Sequence, residues 1–246
     1  MAEGDGGTGP GTEPGTGPGA EPGELLGSGR TADVFALPDG RVLRRYRDGT
    51  DARGEAELMA HLAEHGYPVP AAQPGERPTD LLMERLDGPT LAQAVTTGAL
   101  APAAAGQLLA DLLRRLHAVP PRTAARPGDR VLHLDLHPEN VLLTARGPVV
   151  IDWNTATEGD PALDAAMSAV VLAQALLGLP EFAALAPAIL VPLLRALPPV
   201  PDSRLAAARA RRAANPTLGP ADHARLDAAV ALVRDCAARA GATTGD

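Results

Sequence analysis

The stretch "HLDLHPENVLL", residues 133–143, decides the interpretation of the chain, because it places five ligand-type side chains directly before an apolar run. His133, Asp135 and His137 alternate with leucines, so an extended backbone would point all three side chains to one side. Two chemistries fit this pattern. In one, the three side chains hold the metal of a hydrolase. In the other, Asp135 is a general base for a hydroxyl, and Asn140 binds a cation through its amide oxygen.

A second signal is "VVIDW", residues 149–153, which places Asp152 after an apolar run and twelve residues beyond Asn140. The intervening residues predict a hairpin around Ala145-Arg146-Gly147. A hairpin of this length would return Asp152 to the neighbourhood of Asn140. Carboxylate and amide oxygens suit Mg²⁺, which keeps water and substrate phosphates in its other coordination positions.

A third signal is the glycine-rich stretch "GSGRTADV", residues 27–34. Gly27 and Gly29, with Ser28 between them, would let backbone N–H groups approach phosphates closely, and Val34 would lie over a base. A simple hairpin turn explains the same glycines. A glycine-rich turn, then Asp-x4-Asn, then an Asp after a hairpin is, however, the order of parts that protein-kinase-like enzymes use for phosphoryl transfer.

Composition excludes several classes of protein. The 246 residues are 45% hydrophobic, which indicates a globular protein with a real core, and the net charge of −8 argues against a nucleic-acid partner. The single cysteine excludes an internal disulfide and a thiolate cluster. The N-terminus has no basic region followed by an apolar run, so we expect no secretory signal and a cytoplasmic protein. Polar residues and prolines interrupt the Ala- and Leu-rich residues 165–198, which indicates buried helices and no membrane span.

The chain divides into three parts of different character. Residues 1–23 repeat Pro-Gly and predict a disordered tail. Residues 24–87 carry short apolar segments separated by turn signals and one helical pattern at 52–65, which predicts a small antiparallel β-rich N-lobe. Residues 88–246 predict a larger helical C-lobe with a small β-hairpin inserted. The predicted fold class is therefore α+β with two lobes.

With "HLDLHPENVLL", the stretch "IDWNTATEGDPALDAA" (residues 151–166) resembles the paired signatures of the aminoglycoside phosphotransferase and choline kinase-like family. These are small-molecule kinases on the protein-kinase fold, and the resemblance covers about residues 24–165. It implies an ATP- and Mg²⁺-dependent transfer of the γ-phosphate to a hydroxyl of a small-molecule substrate. In that reaction Asp135 would be the catalytic base, and Asn140 and Asp152 would hold the magnesium.

The same resemblance assigns further roles. It implies that Glu84 to Leu86 form the hinge between the lobes, whose backbone would bind adenine. The segment "GDPALD" is similar to the family's segment in which Asp160 and Asp164 brace the catalytic loops, and Asp160 would also cap the helix that begins at Pro161. His133 would brace the catalytic loop.

One departure from the kinase pattern is the absence of lysine, since the sequence contains none and its basic residues are all arginines. Kinase-like enzymes normally hold the nucleotide phosphates with a strand lysine that pairs with a helical glutamate. Strand alternation puts Val42, Arg44 and Tyr46 on one face, so Arg44 would occupy the lysine position. Glu55 is the expected partner of Arg44, and Glu57 is expected to be solvated. An arginine forms such a pair but is not equivalent to lysine.

The substrate and two alternative functions stay open at this point. From residue 161 onward acidic residues do not outnumber arginines, so the acidic pocket that a polycationic aminoglycoside needs is not indicated. Arg209, Arg211 and Arg212 form a cluster that fits a solvated helix face or contact with an anionic substrate, and we expect the solvated face. The alternatives to a kinase are a degenerate kinase-like nucleotide-binding module without catalysis and the metal-dependent hydrolase.

Overall fold

The computed structural model of the chain describes residues 22–29, 31–123, 126–179 and 182–242. The predicted disordered tail, residues 1–23, lies outside the described residues except for its last two positions. Strands dominate the described chain up to residue 84, and helices dominate it from residue 161 onward. This is the α+β, two-lobed arrangement that the sequence predicts.

The N-terminal lobe is built on a five-stranded antiparallel sheet with the strand order β1-β2-β3-β5-β4. Its strands are β1 Leu25–Ser28, β2 Ala32–Ala36, β3 Arg41–Tyr46, β4 Ala72–Pro74 and β5 Asp80–Glu84. The turn between β2 and β3 forms at the predicted Pro-Asp-Gly: Gly40 has a φ of 80°, and Asp39 Oδ1 accepts a hydrogen bond from Arg41 N at 3.1 Å. The predicted antiparallel strands are confirmed.

Helix α1, Arg53–Glu64, lies between β3 and β4 in the chain and packs against the sheet, burying the apolar residues Ala56, Leu58, Met59 and Leu62. Gly66 follows the end of the helix, and its φ of 72° is typical of the left-handed residue in that position. The helix has its expected bounds to within one residue at each end. Glu55 lies in its first turn, and its side chain contacts β3.

The rest of the described chain is mostly helical and carries two small strand pairs. Its helices are α2 Leu91–Thr96, α3 Pro102–Leu116, α4 Pro161–Leu177, α5 Leu185–Arg195, α6 Asp202–Ala213 and α7 Pro220–Ala242. A 3₁₀ turn at Pro138–Asn140 precedes the hairpin of β7 Val141–Thr144 and β8 Gly147–Val150, and β6 Arg130–Leu132 pairs with β9 Thr157–Gly159. The predicted hairpin around Ala145-Arg146-Gly147 is confirmed.

Helix α4 is the centre of the C-terminal lobe, because its residues from Asp164 to Gln174 are all buried. Helices α5, α6 and α7 pack around it, and α3 packs against α5. The α3–α5 contact is very close at Gly106, where an added Cβ would lie 2.2 Å from the carbonyl oxygen of Ile189. In the described part of the chain, no helix combines the length and the apolar character needed to cross a membrane.

Two elements were missed by the sequence analysis, α2 and β9. Helix α2 begins with a capping box, in which Thr90 Oγ1 accepts a hydrogen bond from Gln93 N at 3.1 Å and Gln93 Oε1 accepts one from Thr90 N at 2.9 Å. The Thr-x-x-Gln spacing is a sequence signal for such a helix start. Strand β9 has three residues and depends on pairing with β6, so it has no periodicity of its own to detect.

Candidate active site

A cavity of about 500 Å³ lies where the turn between β1 and β2, the segment that follows β6 and helix α6 meet. Its lining includes the polar side chains of both lobes on which the sequence analysis concentrated, Arg44, Asp135, Asn140 and Asp152. It also includes Arg212, which was expected on a solvated helix face.

The loop after β6 does not have the extended backbone that the sequence suggested. Leu134 adopts a left-handed conformation with a φ of 64°, which breaks the alternation of side chains. His133 is fully buried, whereas Asp135 and His137 line the cavity. The expectation that all three side chains point to one side is therefore wrong for His133.

The buried carboxylate of Asp164, in the first turn of α4, holds this loop in place. Its oxygens accept hydrogen bonds from His133 N at 3.1 Å and from Leu134 N at 2.7 Å. His117 Nε2, at the end of α3, lies 2.9 Å from the same carboxylate. A fully buried carboxylate is stable only with such partners. One of these partners is Leu134, the residue with the left-handed backbone conformation.

His133 contributes to the loop as a neutral side chain. Its Nε2 lies 3.1 Å from the carbonyl oxygen of Ile151, and its Nδ1 accepts a hydrogen bond from Asp135 N at 3.3 Å. The ring centroid is 4.6 Å from that of Trp153. Burial lowers the pKa of His133 and outweighs the opposing charge of Asp164. The ring therefore links the loop to the segment after β8, in line with a bracing role.

Asp135 lines the cavity and carries a buried carboxylate oxygen. Among the described residues, its buried Oδ1 has no hydrogen-bond partner, although Arg212 Nη1 lies 3.8 Å away. Its Oδ2 lies 3.7 Å from His137 Nε2. Burial by itself would raise the pKa of Asp135, but the nearby imidazole of His137 and the charge of Arg212 outweigh burial and lower that pKa. Asp135 is therefore an ionised carboxylate at neutral pH, and one of its oxygens has no hydrogen-bond partner among the described residues.

Asn140 and Asp152 are brought to the same cavity by the β7–β8 hairpin. At the open end of the hairpin, Ile151 N donates a hydrogen bond to Asn140 O at 3.0 Å. Because Asp152 directly follows Ile151, this bond holds Asp152 near Asn140. Asn140 Nδ2 donates to the backbone carbonyl of Asp135 at 2.9 Å, which commits the amide nitrogen and leaves the amide oxygen as a possible metal ligand. Asp152 has a φ of 66°, a conformation that non-glycine residues seldom adopt away from functional sites.

Arg44 joins two carboxylates from different parts of the chain. Its Nη1 lies 3.2 Å from Glu55 Oε1, and its Nη2 lies 2.6 Å from Asp152 Oδ1. The Arg44 and Glu55 side chains are only 11% and 6% exposed, and the hydroxyl of Tyr46 donates a hydrogen bond to Glu55. Glu57, in contrast, is exposed and pairs with Arg122. The predicted face of β3 and the choice of Glu55 over Glu57 agree with these contacts.

The charges of this network support one another. Burial by itself would lower the pKa of Arg44, but the charges of Asp152 and Glu55 outweigh it, and the net effect is to raise that pKa. Burial raises the pKa of Glu55, and the charge of Arg44 opposes that rise. The guanidinium is therefore fixed in its charged form beside the cavity.

The glycine-rich stretch reaches the cavity only at its central turn. Gly29 and the following Thr31 and Ala32 line the cavity, and Gly29 N donates to Ala32 O at 2.8 Å. Gly27 and Ser28 belong to β1, where Gly27 lies opposite Val34 in the ladder.

The predicted adenine hinge lies at a second cavity. Glu84 helps to line a space of about 280 Å³ at the edge of the sheet. Its Oε2 accepts hydrogen bonds from Ala71 N at 3.2 Å and from Arg146 at 2.8 Å. Leu86 lies two residues beyond the end of β5 and is half-buried. The structure therefore does not bring Glu84 to the cavity that contains Asp135.

Arg212 is the main site residue that the sequence analysis missed. Its side chain is 13% exposed, and its Nε donates to Gln174 Oε1 at 2.8 Å, so it does not belong to a solvated face. Arg209, in contrast, forms an exposed pair with Asp227. A sequence signal was available, because Leu205, Ala208 and Arg212 are spaced along one helical face and the first two are buried.

Comparisons with known proteins identify the class of protein. A model of the phosphotransferase enzyme family matches residues 23–130 and 122–191, which is more than half of the chain. The chain belongs to this family. A search of curated protein sequences finds no match.

Solved structures show which fold the family membership corresponds to. Aminoglycoside phosphotransferase APH(4)-Ia is 16% identical over 91% of this chain and 93% of its own, with a TM-score of 0.55. APH(2″)-IIa in its streptomycin–ATP complex is 15% identical over 88% and 92%, with a TM-score of 0.54. ADP-bound APH(2″)-Ib is 14% identical over 89% and 95%, with a TM-score of 0.53. The predicted protein-kinase-like fold is confirmed.

Loss of the Asp164 carboxylate tests its role in the loop. We expect Asp164→Ala to lower the free energy of unfolding by roughly 2–5 kcal/mol, because it leaves two buried N–H groups unsatisfied. Asp160→Ala is the matched control in the same helix turn. Asp160 caps α4 through Ala162 N at 2.9 Å and is 40% exposed, so its loss should cost about 1 kcal/mol. Urea denaturation of both variants measures this, and equal losses would contradict the bracing role.

Proposed function

We propose that the protein is an ATP- and Mg²⁺-dependent phosphotransferase that moves the γ-phosphate to a hydroxyl of a small molecule. The observation that carries this proposal is that one cavity is lined by Asp135, Asn140, Asp152 and Arg44, and that Asp135 Oδ1 has no hydrogen-bond partner among the described residues. Family membership supports phosphoryl transfer as the reaction type. In this proposal residues 24–87 form the nucleotide-binding lobe, and residues 88–246 form the lobe of the catalytic loop and the acceptor site.

The donor atoms at the cavity fit a magnesium ion. Asn140 offers an amide oxygen and Asp152 a carboxylate, both hard ligands, and water and phosphates complete the coordination in sites of this kind. Within the described residues, no three His, Cys, Asp or Glu side chains form a group that could hold a metal ion, so the metal-hydrolase alternative gains no support. Bound at Asn140 and Asp152, Mg²⁺ would offset negative charge on the transferring phosphoryl group.

The protein's own groups then have distinct tasks. Asp135 orients the acceptor hydroxyl and accepts its proton, since its carboxylate is ionised and has an oxygen free of other bonds. Arg44, held by Glu55, supplies positive charge to the phosphates from the N-terminal lobe. The backbone around Gly29 contacts the phosphates from the N-terminal lobe. Gly27 and Ser28 in β1 and Val34 in β2 belong to the two strands that this turn joins.

Adenine would bind between the lobes near the chain that follows β5, at Glu84 and Leu86. The cavity of about 280 Å³ beside Glu84 is lined by residues of β3, β4, β5 and their flanking turns and does not include Leu86, so the adenine position rests on the family resemblance. His133 and Asp164 act at a distance from the substrates, by holding the loop in which Asp135 lies.

A second candidate function is a kinase-like nucleotide-binding module without catalysis. The observation in its favour is the ion pair of 2.6 Å between Arg44 and Asp152, which engages one proposed metal ligand. The complete set of Asp135, Asn140 and Asp152 favours the enzyme. Nucleotide binding without ATP consumption by any hydroxyl compound distinguishes the module from the enzyme.

Replacement of the proposed base separates catalysis from binding. We expect Asp135→Asn to reduce phosphate transfer about 10²–10⁴-fold, because the amide cannot accept the hydroxyl proton, and to leave the dissociation constant of Mg²⁺-ATP almost unchanged. Transfer is measured as ADP release over amino alcohols, sugars and aminocyclitols, and binding is measured by calorimetry. The control is Asp111→Asn, an exposed aspartate of α3. Wild-type transfer by Asp135→Asn would refute the assignment.

Substitution of Arg44 and of its neighbour Arg45 in β3 tests whether Arg44 contacts the nucleotide phosphates. Arg44→Met should lower kcat/KM for ATP by about 10² or more, since it removes a fixed positive charge from the cavity. Arg45→Met is the matched control, because Arg45 forms a similar pair with the buried Asp80 at 2.7 Å on the opposite face. Both variants should lose similar stability, but only Arg44→Met should impair ATP use. Equal kinetic effects would rule out a specific role.

A further inference from the structure

A small apolar cavity adjoins the candidate active site. It has a volume of about 170 Å³ and shares His137, Glu139 and Ala175 with the larger cavity that contains Asp135. Apolar side chains of α2, α4, α5 and the segment before α5 form most of its wall: Val95, Leu172, Leu176, Leu179, Phe182 and Ile189. The two cavities are therefore neighbours, and their boundary is formed by the loop that carries Asp135 and by α4.

The size of this cavity defines what it can hold. A dry apolar cavity of about 150 Å³ accommodates a benzene molecule, so this one admits a ring or chain of about six carbon atoms. Leu179, at its edge, is 45% exposed, which is unusual for a large apolar side chain in this structure. An apolar ligand group in the cavity would cover Leu179 and remove apolar surface from water.

The charges that line the larger cavity near α6, where the acceptor would bind, disfavour a polycationic substrate. Helix α6 and the turn after it present Arg212, Asn215 and Thr217. Among the described residues, this cavity is lined by three acidic side chains, those of Asp135, Asp152 and Glu139. The Glu139 carboxylate already accepts a hydrogen bond from the hydroxyl of Thr90 at 3.2 Å. A substrate with several ammonium groups would meet a guanidinium where it needs carboxylates.

We propose that the acceptor is a small hydroxyl compound without a cluster of ammonium groups, whose apolar portion of about six carbon atoms occupies the apolar cavity while its hydroxyl faces Asp135. This proposal rests on the proposed function. The acceptor oxygen forms a bond to the γ-phosphorus of ATP, the bond between that phosphorus and the ADP oxygen breaks, and the hydroxyl proton passes to the Asp135 carboxylate.

The binding of primary alcohols of increasing chain length tests the apolar subsite directly. We expect the dissociation constant, measured by NMR titration, to fall about fourfold for each added methylene from 1-propanol to 1-hexanol, because each methylene is buried. Ala175→Trp adds a large side chain at the boundary of the two cavities, from an exposed helix position, and should abolish this dependence. Ala104→Trp, at an exposed position of α3, is the matched control and should retain it.

A second variant controls for structural changes that the introduced tryptophan could cause elsewhere. Leu179→Ser removes part of the apolar wall at an exposed position and should weaken 1-hexanol binding several-fold without affecting 1-propanol. The proposal is overturned if the wild type shows no chain-length dependence, or if Ala175→Trp and Leu179→Ser both leave that dependence intact. Tighter binding of the polycation kanamycin than of 1-hexanol at about 150 mM salt also overturns it.

These alcohol titrations need no nucleotide, so their outcome is independent of phosphoryl transfer. Failure of the proposed function would appear instead as an absence of Mg²⁺-ATP binding or of ADP release. The two failures are therefore distinguishable.

Discussion

The buried carboxylate of Asp164 is the interaction on which the candidate site depends. It accepts hydrogen bonds from the backbone of His133 and Leu134 and pairs with His117 at the end of α3. Leu134 is held in a left-handed conformation, which turns His133 into the core and leaves Asp135 in the cavity. Without this anchor the unfavourable conformation of a leucine would have no compensation. The position of the proposed base is thus set by a residue of the central helix.

A second constraint is the charge balance across the two lobes. Arg44 extends from β3 to Glu55 on α1 and to Asp152 after the β7–β8 hairpin, so one guanidinium links the sheet, the first helix and the proposed metal site. A planar guanidinium can contact two carboxylates at once, which an ammonium group does with less geometric control. This explains how a chain without lysine preserves the connection between strand and helix on which kinase-like sites are built.

The sequence predicted those parts of the site that follow from spacing. Asp135, Asn140 and Asp152 are joined by a short loop and a hairpin, and Arg44 and Glu55 follow from strand alternation and a nearby helix start. It did not predict the left-handed Leu134, because that conformation results from the distant Asp164. Arg212 was placed on a solvated face because its burial depends on how α6 packs against α4, although its helical spacing with Leu205 and Ala208 carried the signal.

The most direct test of the account is a crystal structure of the protein with Mg²⁺ and a non-hydrolysable ATP analogue. We expect one metal ion within about 2.1 Å of Asn140 Oδ1 and of the Asp152 carboxylate, with the γ-phosphate on the side of the cavity that Asp135 lines. We also expect that Arg44 stays paired with Glu55 while contacting a phosphate. A metal ion bound without Asn140 and Asp152, or a γ-phosphate bound outside this cavity, would contradict the proposed site.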